Sequence, residues 1–202
     1  MAQKGGFHAR SDLLMPRGDR PQSSRVFHLF TDAACIHARG IAAWGSMLID
    51  GCESHIRSGL IGQHVKCSTT AEAEGIRLAL SGFARGGYIC PGDTVIIHCD
   101  NDGVCGYVSG TNNRPKPKAR LETFRAAIDE IRALERLYQF VSVAKWVPGH
   151  QGIDTADWRG LINARVDRLA REIAAAENKR RMALGDVGRV KKELQIERDD
   201  DA

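Results

Sequence analysis

Residues 95–104 read VIIHCDNDGV, and they join two demands that ordinarily conflict. Val95-Ile96-Ile97 is an apolar, β-branched run of the kind that fills the middle of a sheet. Asp100 follows closely, and Asp102 two residues later. Taken alone, such an aspartate is ordinarily a turn or cap residue. At the end of a buried strand, however, a carboxylate is costly unless it meets a partner charge or a metal ion. The other acids of the chain decide between these readings.

Upstream, RVFHLFTD (25–32) reads as a strand ending on Asp32. IAAWGSMLID (41–50) is a second strand, closed by Asp50-Gly51 as a hairpin signal, and CESHIRSGLIG (52–62) supplies a third. The period then changes. STTAEAEGIRLALSGFARGG (68–87) carries Ala73, Ile76, Leu80 and Phe83 on a helical stripe that Gly86-Gly87 stop, with Thr69 and Glu72 spaced as a capping box. DTVIIHCD (93–100) is the fourth strand, and a short helix follows around Val104–Val108. LETFRAAIDEIRALERLYQF (121–140) is a long amphipathic helix, VSVAKWV (141–147) a strand, and INARVDRLAREIAAA (162–176) a final helix. Strands first, then alternating helix and strand, predict a mixed α/β layer structure. Trp44 and Trp146 fall on strands and are expected in the core.

At 202 residues and 43% hydrophobic content, the chain suits one core and hardly two. The N-terminal residues 1–24 have positive charge but no apolar segment, and they read as a flexible arm, not a signal peptide. Residues 25–176 form the expected domain, and 177–202 a charged tail, helical in part. No apolar run has membrane-spanning length, which predicts a cytoplasmic protein. The six cysteines include no Cys-x-x-Cys pair, which argues against a zinc site. The net charge of +4 fits an anionic partner without establishing one.

Asp32 and Asp100 close two strands, and Asp167 lies on the last helix one turn after Asn163. If the first and fourth strands are neighbours, both aspartates emerge at one end of the sheet, and a glutamate of the intervening helix can join them. Clustered carboxylates repel one another and call for cations. Hard oxygen ligands suit Mg²⁺, or Mn²⁺, and a pair of such ions is a standard means of cutting a phosphodiester.

FTDAAC (30–35), TTAEAEGIRLAL (69–80), HCDND (98–102), WVPGHQG (146–152) and NARVDRLA (163–170) occur in this order. Together they resemble type I ribonuclease H over roughly residues 25–176. The resemblance implies a ribonuclease H-like five-stranded mixed sheet with helices on both faces. It also implies an endonuclease that hydrolyses the RNA strand of RNA–DNA hybrids with two Mg²⁺ ions, leaving 3′-hydroxyl and 5′-phosphate ends and acting as a monomer. On it, Asp32, Glu74, Asp100 and Asp167 are the metal-binding carboxylates, and His150 assists proton transfer or product departure. The helical wheel leaves Glu72 and Glu74 both open. Glu72 has a local reason to exist, as a cap, and the family's use of the second acid in AEAE selects Glu74.

Substrate contacts are expected from Cys35 in the loop after the first strand, from Thr69 and Thr70 at the helix start, and from Asn163. Family members usually carry asparagine where this chain has Thr70-Ala71, so strict hybrid selectivity stays an open point. The loop GTNNRPKPKAR (110–120) brings Arg114, Lys116, Lys118 and Arg120 without an acid, where some members carry a basic handle. Trp158 is expected to anchor the loop after His150. Two rivals remain: a nuclease of the same fold acting on DNA, and a non-catalytic nucleic-acid-binding module, whose mark would be a broken carboxylate set.

Overall fold

A computed structural model describes residues 24–51, 53–62, 65, 67–111, 121–149 and 157–184. The five strands are β1 (Val26–Ile36), β2 (Ile41–Asp50), β3 (Glu53–Leu60), β4 (Thr94–Cys99) and β5 (Val141–Trp146), and they lie in the order β3-β2-β1-β4-β5. The first three form an antiparallel meander, while β4 and β5 run parallel to β1. The helices are α1 (Ser68–Arg85), α2 (Asp102–Val108), α3 (Leu121–Tyr138) and α4 (Trp158–Ala183). No helix among the described residues is long and apolar enough to cross a membrane.

Strand alternation sorts the core into two layers. Phe27 and Leu29 of β1 and Val95 and Ile97 of β4 point to one face, where Ile76, Leu80 and Phe83 of α1, Val104 of α2 and Phe124 and Ile131 of α3 cover them. Phe30 points to the other face, where Met47 and Val166 of α4 meet it. The α4 backbone passes very close to β2: a Cβ on Gly45 would stand 2.6 Å from the Val166 carbonyl oxygen. Glycine at 45 therefore fixes how near α4, and with it Asp167, can come to the sheet.

Four local expectations change. β1 does not stop at Asp32 but continues to Ile36, because Ala33–Ile36 keeps pairing with β2 after the β4 ladder has ended at Phe30 and His98. α4 begins at Trp158, earlier than Ile162, because Asp157 caps it by accepting a hydrogen bond from the Gly160 amide at 2.9 Å. It also runs past Ala176 to Ala183, since Glu177 pairs with Arg180 at 2.6 Å and Arg181 at 2.8 Å, one turn further on. Trp44 is buried, as expected. Trp146 is 53% exposed, because its edge strand is left uncovered there, and it spends its indole N–H on the Asp100 carbonyl at 3.0 Å.

One buried ion pair pins the end of the sheet opposite the acids. Asp93 is 2% exposed and accepts from the Arg25 amide, its Nε and Nη2, and the Cys90 amide. Asp93→Ala leaves these donors without an acceptor, and such losses cost about 3 kcal/mol or more. Urea unfolding of the variant is expected to show that drop, and a midpoint equal to the parent's would contradict it.

Candidate active site

Asp32 lies two residues beyond the last β1–β4 pair, and Asp100 directly follows β4. Ending β4 at Cys99 opens a gap beside β1, and both carboxylates stand at its rim. α1 brings Glu72 from one face and α4 brings Asp167 from the other. These four acids line a single cavity of about 460 Å³, with Cys35 and Arg171 also in its wall. The Asp32 Oδ1 accepts from the Ala33 amide at 2.7 Å, and Asp167 holds the Arg171 Nε at 2.7 Å. Ligand atoms of Glu72, Cys99 and Asp100 lie within 4.8 Å of one another. The chain after β5 packs tightly on this group: a Cβ at Gly149 would fall 2.4 Å from Asp100 Oδ2.

The proximity has an electrostatic cost. Burial, then the charges of Asp100 and Asp167, push the Asp32 carboxyl up to about 7. Burial, then Asp32 and Asp100, hold Glu72 well above the usual carboxylate range, and the two side chains are hydrogen-bonded to each other. Between about pH 4, where a free carboxyl ionises, and about pH 7, the folded chain therefore binds more protons than the unfolded one. Raising the pH through that window removes stability. The thermal midpoint of the metal-free protein is expected to fall from pH 5 to pH 8, and saturating Mg²⁺ to flatten the slope. A midpoint independent of pH without metal would show that these carboxyls carry no mutual repulsion.

Of the sequence candidates, Asp32, Asp100 and Asp167 come together. Glu74 does not, and Glu72 stands in the cavity wall where the sequence reading expected Glu74. Glu74 pairs with Arg77 at 2.7 Å, and Arg77 reaches Glu130 of α3 at 3.0 Å, so this buried acid ties two helices together. Two residues rotate a helix by about 200°, so only one of the two acids can face the sheet. The capping assignment concealed which. The residue before α1 is Cys67, with no side-chain capping bond, so Glu72 is released from that role. The available signal was its place one turn before Ile76, on the apolar stripe.

Cys35 lines the cavity, and burial, then Glu72 and Cys67, push its thiol up to about 11. Thr70 is buried with its hydroxyl 3.1 Å from Cys67 Sγ, and Thr69 is half-buried in the first turn of α1. Asn163 is buried on α4 one turn before Asp167, and its Oδ1 has no hydrogen-bond partner among the described residues. His150, Arg114, Lys116, Lys118 and Arg120 lie outside the described residues. Trp158 sets its ring edge-on against Phe30 and His28, with centroids 5.8 and 5.6 Å away, and so anchors the start of α4.

The same fold occurs in solved structures. An RNase H1 from the halophilic archaeon Halobacterium salinarum NRC-1 superposes with a TM-score of 0.56 at 22% identity, over 75% of this chain and 98% of that one. The fold is that of ribonuclease H. LC11-RNase H1 in complex with an RNA/DNA hybrid matches this ribonuclease H-like chain with a TM-score of 0.57 at 19% identity, over 75% of this chain and 98% of that one. The N-terminal RNase H domain of rv2228c from Mycobacterium tuberculosis matches with a TM-score of 0.56 at 17% identity, over 77% and 99%. No family model matches the sequence, and no curated protein does.

Proposed function

We propose that this chain is a divalent-metal-dependent endonuclease that hydrolyses the RNA strand of RNA–DNA hybrids. The observation that carries the reading is the convergence of Asp32, Glu72, Asp100 and Asp167 on one cavity. Burial, and then the charges of the neighbouring acids, raise two of these carboxyls, a state that divalent cations relieve. The fit is chemical as well as electrostatic, since the carboxylate oxygens are hard donors suited to Mg²⁺ or Mn²⁺. Asp32, Glu72, Asp100 and Asp167 would hold the ions. Bound there, a pair of ions supplies Lewis acidity, both to the attacking water and to the departing 3′-oxygen.

The protein's own groups orient and exclude. Arg171, paired with Asp167 and 59% exposed, stands in the cavity wall as a phosphate contact. The backbone at Gly149 buttresses Asp100 from behind. His150 follows Gly149 directly in the sequence. An imidazole beside the acids would shuttle a proton near neutral pH. All four acids come from one chain, which supports a monomer as the working unit.

The likeness to a structure bound to an RNA/DNA hybrid supports that substrate class. A panel of labelled RNA–DNA hybrid, duplex RNA, single strands and branched DNA, with and without Mg²⁺, separates the readings. Scission of the RNA strand of the hybrid, only with Mg²⁺ and with 5′-phosphate ends, is expected. Preferential cutting of branched or duplex DNA would transfer the chain to the DNA-acting rival, and binding without cutting would leave the non-catalytic one.

A further inference from the structure

Behind the acidic cavity lies a pair of thiols that the proposed hydrolysis does not use. Cys99 is the last residue of β4 and is fully buried, while Cys105 sits on α2 and is 5% exposed. The two thiols are hydrogen-bonded to each other, and Cys105 Sγ also lies 3.6 Å from the Cys99 carbonyl oxygen. Cys99 Sγ in turn lies 3.9 Å from Glu72 Oε2 and accepts from the Asn101 amide at 3.4 Å. Asp100 is thus held between two residues that both bond to this sulfur-bearing segment, and Asn101 caps α2 by accepting from the Val104 amide at 3.2 Å.

We propose that Cys99 and Cys105 are a site of reversible disulfide formation by peroxide, and that closing the bond weakens divalent-ion binding at Glu72 and Asp100. The Cys105 sulfur attacks one oxygen of hydrogen peroxide, the O–O bond breaks, and a sulfenic acid and one water result. The Cys99 sulfur then displaces the hydroxyl as a second water and forms the S–S bond. Two thiols lose two electrons in all, and one peroxide becomes two waters. Cys105 is the attacking group because it is the less enclosed of the two, 5% exposed against 0% for Cys99. The bond removes the S–H that faces Glu72 and ties the end of β4 to α2 across Asp100. Loss of such a supporting contact lowers metal affinity by about tenfold or more.

The covalent half stands apart from the nuclease reading, and the affinity half rests on it. The full chain is treated with hydrogen peroxide, alkylated, and cleaved before Asp100 and Asp102, which puts the two cysteines on separate peptides. Mass spectrometry is expected to find them joined. Calorimetry is expected to find Mg²⁺ affinity reduced about tenfold and restored by dithiothreitol, with no change on peroxide treatment of Cys105→Ala. An unjoined pair would overturn the proposal, as would joining with unchanged affinity. So would an equal loss in Cys105→Ala, which would move the effect to Cys35, a thiol of the cavity wall with Cys67 as its neighbour. If the reduced chain takes up no Mg²⁺, the metal-site reading fails along with the affinity half, while the cross-link is still read by mass.

Discussion

Glu72→Gln is expected to abolish cleavage of a labelled RNA–DNA hybrid, lowering the rate by on the order of a thousandfold or more, about 4 kcal/mol of barrier. Glu74→Gln is expected to leave it within a few-fold of the parent. In Glu72→Gln the new amide keeps the shape of the side chain and can still bond to Asp32, but it takes one negative charge and one good ligand out of the cavity. In Glu74→Gln the amide weakens only the pairing with Arg77 within α1, and Arg77 keeps Glu130 of α3 at 3.0 Å. Its cost appears in stability, at about 1–3 kcal/mol for a buried charged hydrogen bond. The two variants sit two residues apart on the same helix turn, so each controls for the other's effect on folding. A dead Glu74→Gln beside an active Glu72→Gln would return the role to the residue that sequence reasoning selected.

Asp100→Asn is the second large effect, and here binding and cleavage should separate. Asn is nearly isosteric, so the β4 end, the Trp146 bond to the residue's backbone carbonyl, and the seat of Gly149 can all persist. What goes is the negative charge that helps push Asp32 up. Cleavage is expected to fall on the order of a thousandfold, while hybrid affinity measured in Ca²⁺ or without metal holds or rises slightly, because a repulsion toward phosphate has been removed. The metal-free variant should also melt higher than the parent at pH 8. Retained cleavage in Asp100→Asn would defeat the assignment of the centre.

The order of strands and helices was legible because each left a clean period: alternation in β1 to β3, an apolar run in β4, helical stripes in α1 and α3. That Asp32 and Asp100 would share one end of the sheet followed from making the first and fourth strands neighbours, which the parallel β1–β4 ladder bears out. The choice within AEAE was obscured by a competing local rule, although the spacing of Glu72 to Ile76 pointed to the apolar stripe. A glutamate three residues after a threonine satisfies a capping pattern, and only the sheet decides which side of α1 faces inward. Trp146 failed similarly: a tryptophan on a strand is buried only if something covers that strand, and coverage is a tertiary property. The extension of α4 past Ala176 came from ion pairs one turn apart, which a reading of the same charges as a solvated tail set aside.

The central claim is that repelling carboxylates hold protons which a divalent ion displaces. Isothermal titration of the metal-free chain with Mg²⁺ near pH 6, below the value of about 7 for Asp32, tests it when run in two buffers of different ionisation enthalpy. Uptake of Mg²⁺ accompanied by net proton release, and lost in Asp32→Asn, is the predicted result. No heat of binding, or binding with no proton exchanged, would contradict it.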